Sequence, residues 1–196
     1  MNIEEFLSKA PFLSPREGGK DSIAAFNCPP ADLLKAVEAA KACGFDMLCD
    51  IASIDMGVGA APRFGCVYHF YSTAEKSYLR IAAMCESASA PELPSLTPFF
   101  GNADWFEREA FDMMGIKFAG HPDLRRILMW DAYPWHPLCK DFPLAGKDAP
   151  TPEFYEDSVG DDPMNVGPAP MEGGPFHSPA GAEFSAGNEP RSFGKI

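Results

Sequence analysis

Basic side chains are scarce in this sequence: 16 Lys and Arg stand against 28 Asp and Glu, a formal net charge of −12 over 196 residues. Phosphate binding needs a clustered excess of cations, so nucleic acid and an anionic bilayer surface are both poor partners. Long apolar runs are missing as well. No stretch approaches the roughly 18 residues of a spanning helix, and the N-terminal MNIEEFLSKA is acidic and amphipathic rather than basic and apolar. The expectation is a chain kept in the cytoplasm without direct membrane insertion. Cys-x-x-Cys pairs are also absent: the cysteines, at 28, 43, 49, 66, 85 and 139, lie too far apart for a zinc ribbon or a ferredoxin-type cluster. They read as small core residues in a reducing compartment. There is no nucleophile elbow, no His-Glu-x-x-His, no phosphate-cradling glycine loop and no dinucleotide fingerprint.

What is present divides in three. Residues 1–92 carry a net −4, residues 93–147 a net −1 and residues 148–196 a net −7. In the first part, Asn2 and Glu5 can form a capping box for a short helix that Pro11 ends. SIAAFN (22–27) reads as a strand. PPADLLKAVEAAKACG then predicts a helix with Pro30 in its first turn, apolar residues at 33, 34, 37 and 40, and Gly44 as its stop. DMLCDIASID and RFGCVYHFYS follow as strands. The second alternates Phe64, Cys66, Tyr68 and Phe70 onto one face, and the turn TAEK joins it to SYLRIAAM in a hairpin. This order predicts an α+β fold: a two-layer domain with a small mixed or antiparallel sheet, helices on one face, and an extended C-terminal tail. The domain is expected over 1–147. The remaining 148–196 hold 8 Pro and 7 Gly, too many for an independent core, with Phe154, Tyr155, Phe176, Phe184 and Phe193 spread along them. Scattered aromatics on an extended segment suit docking into a partner.

Residues 93–147 hold 10 of the 24 aromatics and all three Trp. A helix is expected here, capped by Asn102, with Asp104, Glu107 and Glu109 toward its positive end and Gly115 terminating it. Phe106, Ala110, Met113 and Met114 share one side and read as a core-facing stripe. Arg108 and Asp112, one turn apart, can pair, worth only about 0.2–0.5 kcal/mol on a solvated helix. Lys117, Arg125 and Arg126 are expected in irregular chain among Phe118, Leu124, Ile127, Met129 and Trp130, an aromatic and Arg-containing surface of the kind that holds a neighbouring polypeptide. A hydrolase would need His121 or His136 as base, Asp123, Asp131 or Asp141 as orienter and Cys139 as nucleophile. Those residue types occur without a recognised spacing, and both histidines precede proline, which suits turn or backbone-capping roles. Cys66 and His69, three apart in a strand, point to opposite faces.

The order ERE..D..G..F.GHPDLRRIL followed by HPLCKDFPL resembles the signature of the C subunit of the proton-pumping NADH-quinone oxidoreductases, respiratory complex I. Glu107, Arg108, Glu109, Asp112, Gly115, Phe118, Gly120, His121, Pro122, Leu124, Arg126, His136, Pro137, Leu138, Lys140, Asp141 and Pro143 carry the match over 93–146. The resemblance implies a cofactor-free, peripheral subunit of the hydrophilic arm, on the cytoplasmic side of the bacterial plasma membrane, lying against the quinone-binding D subunit. FMN, the Fe-S clusters and the quinone site would belong to partner subunits, and no catalytic residue is expected in this chain. The expected partner surface comprises Glu107, Arg108, Glu109, Asp112, Gly115, His121, Pro122, Arg125, Arg126, His136, Lys140 and Asp141. An equivalent subunit of a membrane-bound hydrogenase or another quinone reductase, and a stand-alone thiol or His enzyme, remain as alternatives. Position 139 departs from the family: Cys139 stands where Arg is usual, so a five-donor cation gives way to a small thiol.

Overall fold

Phe6, fully buried, sets its ring 6.0 Å from Phe26 and 6.4 Å from Phe45, and these three aromatics begin the core at the N-terminal end. The computed structural model describes residues 3–16, 23–144 and 146–147. Two compact units divide the chain, Met1–Met129 and Trp130–Ile196. The division falls ahead of the composition change at Asp148. Asn2, and with it the capping box, lies outside the described residues, as does the expected tail 148–196 with its aromatics.

In the first unit, α1 (Ile3–Lys9) leads into the short β1 (Ser14–Pro15) and β2 (Ala24–Cys28). A 3-10 turn at Pro30–Asp32 feeds α2 (Leu33–Ala42). Leu33, Ala36, Val37 and Ala40 recur at helical spacing and are buried. Leu34, expected on that stripe, is instead partly exposed. The helix ends in a paired closure, Gly44 N–H to the Lys41 carbonyl and Phe45 N–H to the Ala40 carbonyl, both 3.0 Å, which places Phe45 in the core.

Three strands follow: β3 (Met47–Asp55), β4 (Phe64–Ser72) and β5 (Ser77–Met84), antiparallel neighbours in turn. The sheet order is β1-β2-β5-β4-β3, with β2 parallel to β5. Phe64, Cys66, Tyr68 and Phe70 are all buried, with Cys66, Tyr68 and Phe70 opposite Ala83, Ile81 and Leu79, while Val67, His69 and Tyr71 turn to the other, half-exposed face. Helical cover lies on the buried face. Phe6 of α1 meets Phe26 there, and Phe100, just before the third helix, lies 5.7 Å from Phe70. Gly65 allows β4 and β5 to approach: a Cβ there would stand 2.6 Å from both the Ala83 carbonyl oxygen and Met84 Sδ.

The middle segment contains more regular structure than its sequence suggests. β6 (Glu92–Pro94) and β7 (Lys117–Ala119) pair in parallel, and α3 (Ala103–Met114) connects them as a β-α-β unit. Lys117, expected in irregular chain, is therefore a strand residue. Each strand has only three residues, prolines flank or end β6, and the pairing is non-local, so no periodic pattern marks either one.

Candidate functional site

The buried face of α3 is charged. Ala103, Glu107, Arg108, Ala110, Asp112 and Met113 are its buried residues. Phe106 and Met114, expected on the core stripe, are only half-buried. Gly115 adopts a left-handed conformation at the C-terminus, φ 76°. Asn102 occupies the N-cap position, but its amide donates to the Leu48 carbonyl of β3 at 2.7 Å rather than capping the helix.

Asp112 organises the chain that follows β7. One carboxylate oxygen accepts the backbone N–H groups of Ile127 (3.0 Å), Leu128 (2.7 Å) and Met129 (2.8 Å), and the other accepts from the Arg126 guanidinium. Burial alone would raise the Asp112 pKa, but these donors outweigh it and hold the carboxyl below its ordinary range. Arg108 does not pair with Asp112, as helical spacing had suggested. Its Nε and Nη2 donate to the carbonyls of Arg125 (3.2 Å) and Arg126 (3.1 Å), and its guanidinium lies 5.3 Å from the exposed Trp105 ring. Residues 125–129 have no ladder of their own, so side chains of α3 satisfy their backbone groups. Arg125 itself reaches outward to Asp123, both exposed.

Glu107 is fully enclosed. Its Oε2 accepts from Ser95 Oγ at 2.7 Å and its Oε1 from the Leu96 N–H at 2.6 Å, which ties α3 to the chain after β6. Burial pushes its pKa up to about 7, against the opposing effect of those two hydrogen bonds. The enclosed His121 ring places Nε2 3.3 Å from Asp104 Oδ1 and 3.9 Å from Glu107 Oε2, and its Nδ1 accepts the Asp123 N–H at 3.1 Å. His121 thus faces two carboxylates of α3, while the Asp123 carboxylate goes to Arg125. The hydrolase arrangement of His121 oriented by Asp123 is not formed. Glu109 and Pro122 lie at the surface or close to it, and Gly120 takes a φ of +84° at the turn before His121.

In the second unit, the rings of Trp130 and Tyr133 meet with centroids 4.6 Å apart, tilted by 58°. Two turns, Cys139 N–H to the His136 carbonyl (3.2 Å) and Phe142 N–H to the Cys139 carbonyl (2.9 Å), bring His136, Cys139, Asp141 and Lys147 around a cavity of about 220 Å³. Lys147 Nζ sits 4.3 Å from the centre of the Trp135 ring and 5.6 Å from that of Phe142. Lys140 is exposed. Cys66 is buried and His69 sits on the opposite face of β4, bonded to Arg80 at 3.0 Å, as the strand offset predicted. Sequence reasoning missed Ser95 and the 127–129 amides: a buried carboxylate on a helix reveals no partner at a distance of 11 to 17 residues.

Fold and site define an α+β domain in which a charged helix, carried by a small β-α-β unit, braces the loop beyond it. The chain belongs to the family of the respiratory-chain NADH dehydrogenase 30 kDa subunit, whose pattern matches residues 26–148. It is 40% identical over 155 residues to the C 2 subunit of NADH-quinone oxidoreductase from Rhizobium etli, covering 74% of this chain and 81% of that one. It is 44% identical over 128 residues to the C subunit of NADH-quinone oxidoreductase from Caulobacter vibrioides, covering 65% and 64%. Among solved structures, the trypsin-resistant fragment (1-134) of Nqo5 matches with a TM-score of 0.56 at 29% identity, covering 63% of this chain and all of the fragment. A chain of the membrane-bound sulfane sulfur reductase, an archaeal respiratory membrane complex, shares the fold with a TM-score of 0.61 at 18% identity, covering 72% and 84%.

Proposed function

We propose that this chain is a cofactor-free structural subunit of a proton-translocating NADH-quinone oxidoreductase, holding the quinone-binding D subunit in place while electrons pass from NADH through FMN and Fe-S centres to quinone. One observation carries the reading beyond family membership: four charged residues of the signature, Glu107, Arg108, Asp112 and Arg126, are engaged in bracing their own chain. Asp112 gathers three consecutive amides and Arg126, and Arg108 serves two carbonyls of the same loop. Side chains committed in this way are poor nucleophiles or bases, and they make the outer surface rigid. That surface presents Trp105 and Leu128, each 59% exposed, a composition suited to protein contact.

Among the described residues no helix is long and apolar enough to cross a membrane. The proposed position is therefore peripheral, on the cytoplasmic face of the bacterial plasma membrane, attached through neighbouring subunits. The tail 148–196, net −7, is proposed to run along such a neighbour.

Isolation of the chain from its native membranes by an affinity tag tests the assignment. The quinone-binding subunit and NADH-quinone activity should co-purify. Recovery of the chain without them, or FMN or iron bound at one per purified chain, would overturn it. A complex that accepts electrons from hydrogen instead of NADH would favour the hydrogenase alternative.

A further inference from the structure

Leu33, Ala36 and Val37 of α2 are fully buried, yet Leu34 beside them is 37% exposed. It lines an open groove of about 380 Å³ between the start of α2 and β6, with Pro30 on its own side and Leu93 and Pro94 opposite. Backbone bonds fix both walls. Asp32 N–H donates to the Pro29 carbonyl at 3.0 Å ahead of α2, and β6 is tied to β7 by Lys117 N–H to the Pro91 carbonyl and Ser95 N–H to the Ala119 carbonyl, both 2.9 Å. The groove is therefore shaped before anything enters it, and filling it costs this chain little ordering. Its volume lies at the small end of binding pockets, which run from roughly 300 to 1,000 Å³, and suits inserted side chains better than a large cofactor.

The same groove carries acidic groups at its edge. Glu86 and Glu92 both line it and are both exposed, and neither carboxylate has an ion-pair or hydrogen-bond partner among the described residues. The neighbouring cations do not serve them: Lys35 is paired with Asp32 at 2.7 Å, and Lys117, opposite Glu92 in the pairing of β6 with β7, forms no ion pair with it. An apolar floor beneath two unpaired carboxylates is complementary to an apolar side chain that arrives next to a cation. An anionic bilayer or an acidic segment would be repelled by the same pair.

We propose that the groove between the start of α2 and β6 receives an apolar side chain of a neighbouring subunit, presented beside a Lys or Arg that pairs with Glu86 or Glu92. The apolar side chain covers Leu34 and Leu93, and the aliphatic stem of the cation lies along the groove while its head reaches the carboxylates. The proposal rests on this chain being one subunit among several, and not on which subunit is the neighbour.

The test uses the purified complex containing the full chain, with Leu34 replaced by the photocrosslinker p-benzoylphenylalanine and the captured segment sequenced by mass spectrometry. Capture of an apolar stretch of another subunit with Lys or Arg within four residues is the expected result. Capture of lipid, of an acidic segment or of this chain itself, or no capture at all, overturns the proposal. Two further variants keep the question open to measurement if the label disturbs assembly. Leu34→Asp should lower recovery of the neighbouring subunits at least about tenfold with the melting temperature of the isolated chain unchanged, and Glu86→Gln with Glu92→Gln should weaken the dependence of that recovery on salt. Recovery equal to that of the native chain in both variants refutes the groove as a docking site, whereas failure of the native chain itself to recover any neighbour would count against the subunit reading instead.

Discussion

At Glu107 burial and ionisation pull in opposite directions, and the sign of the effect on stability follows. Its folded pKa is raised from 4.5 to about 7, so the unfolded chain gives up the proton first. The stability it contributes is complete below the unfolded value and is lost as pH rises to about 7, up to about 3 kcal/mol in all. Glu107→Gln removes this dependence, and the variant should gain on the native chain between about pH 5 and pH 8 in urea unfolding. A difference between the two proteins that stays constant over this range would contradict the assignment. Asp112 has the opposite sign: its folded pKa is depressed, so its contribution is present above the unfolded value and lost as pH falls through the folded one. Asp112→Ala leaves Arg126 and the 127–129 amides without their acceptor and should cost about 3–5 kcal/mol at neutral pH. Arg126→Ala should weaken the chain itself by about 1–3 kcal/mol, measurable with no partner present, because its guanidinium is spent on Asp112.

Elements differ in how openly the sequence declares them. The β4–β5 hairpin is legible almost to the residue, since alternation and the turn TAEK mark it and its pairing is local, Ser72 opposite Ser77. For α2 the apolar spacing is plain, but periodicity cannot show which flank stays open. Leu34 borders a cavity of about 380 Å³ between the start of the helix and β6, which leaves it partly exposed. α3 misleads more: Phe106 and Met114 are at helical spacing with the core residues, yet Glu107 and Asp112 are the enclosed ones. Hydrophobic reasoning cannot anticipate that, because the compensating donors come from chain beyond the helix. Gly65→Ala tests the strand packing. Its Cβ would meet backbone of β5 at 2.6 Å, so the variant should lose about 1–3 kcal/mol and melt several degrees lower in calorimetry.

For the whole molecule the question is how a strongly acidic chain is held among others. The proposed division of labour puts the braced helix and the sheet in residues 1–147 and partner contact in 148–196. Truncation after Lys147 should therefore leave the melting temperature within a few degrees of the full chain's, while co-purification with neighbouring subunits falls severalfold. Unchanged co-purification would remove the partner-binding role of the tail. At position 139 a thiol borders the cavity lined by Trp135 and Phe142, with Lys147 set against both rings. Cys139→Ala in the intact complex should preserve NADH-quinone activity, and its loss would reopen the thiol-enzyme alternative.

The sequence by itself determined the α+β class, the strand alternation, the helix termini at Gly44 and Gly115, and, through the ordered signature, the family. Those features depend on near neighbours or on residue order. Only the tertiary structure decided what the signature charges do: it turned Arg108 from Asp112 to the 125–126 carbonyls, set Arg126 and three amides on Asp112, and enclosed Glu107 with His121. The reason is physical. A buried charge must find its partner wherever the folded chain supplies one, and that distance in sequence is set by packing, not by helical or strand spacing.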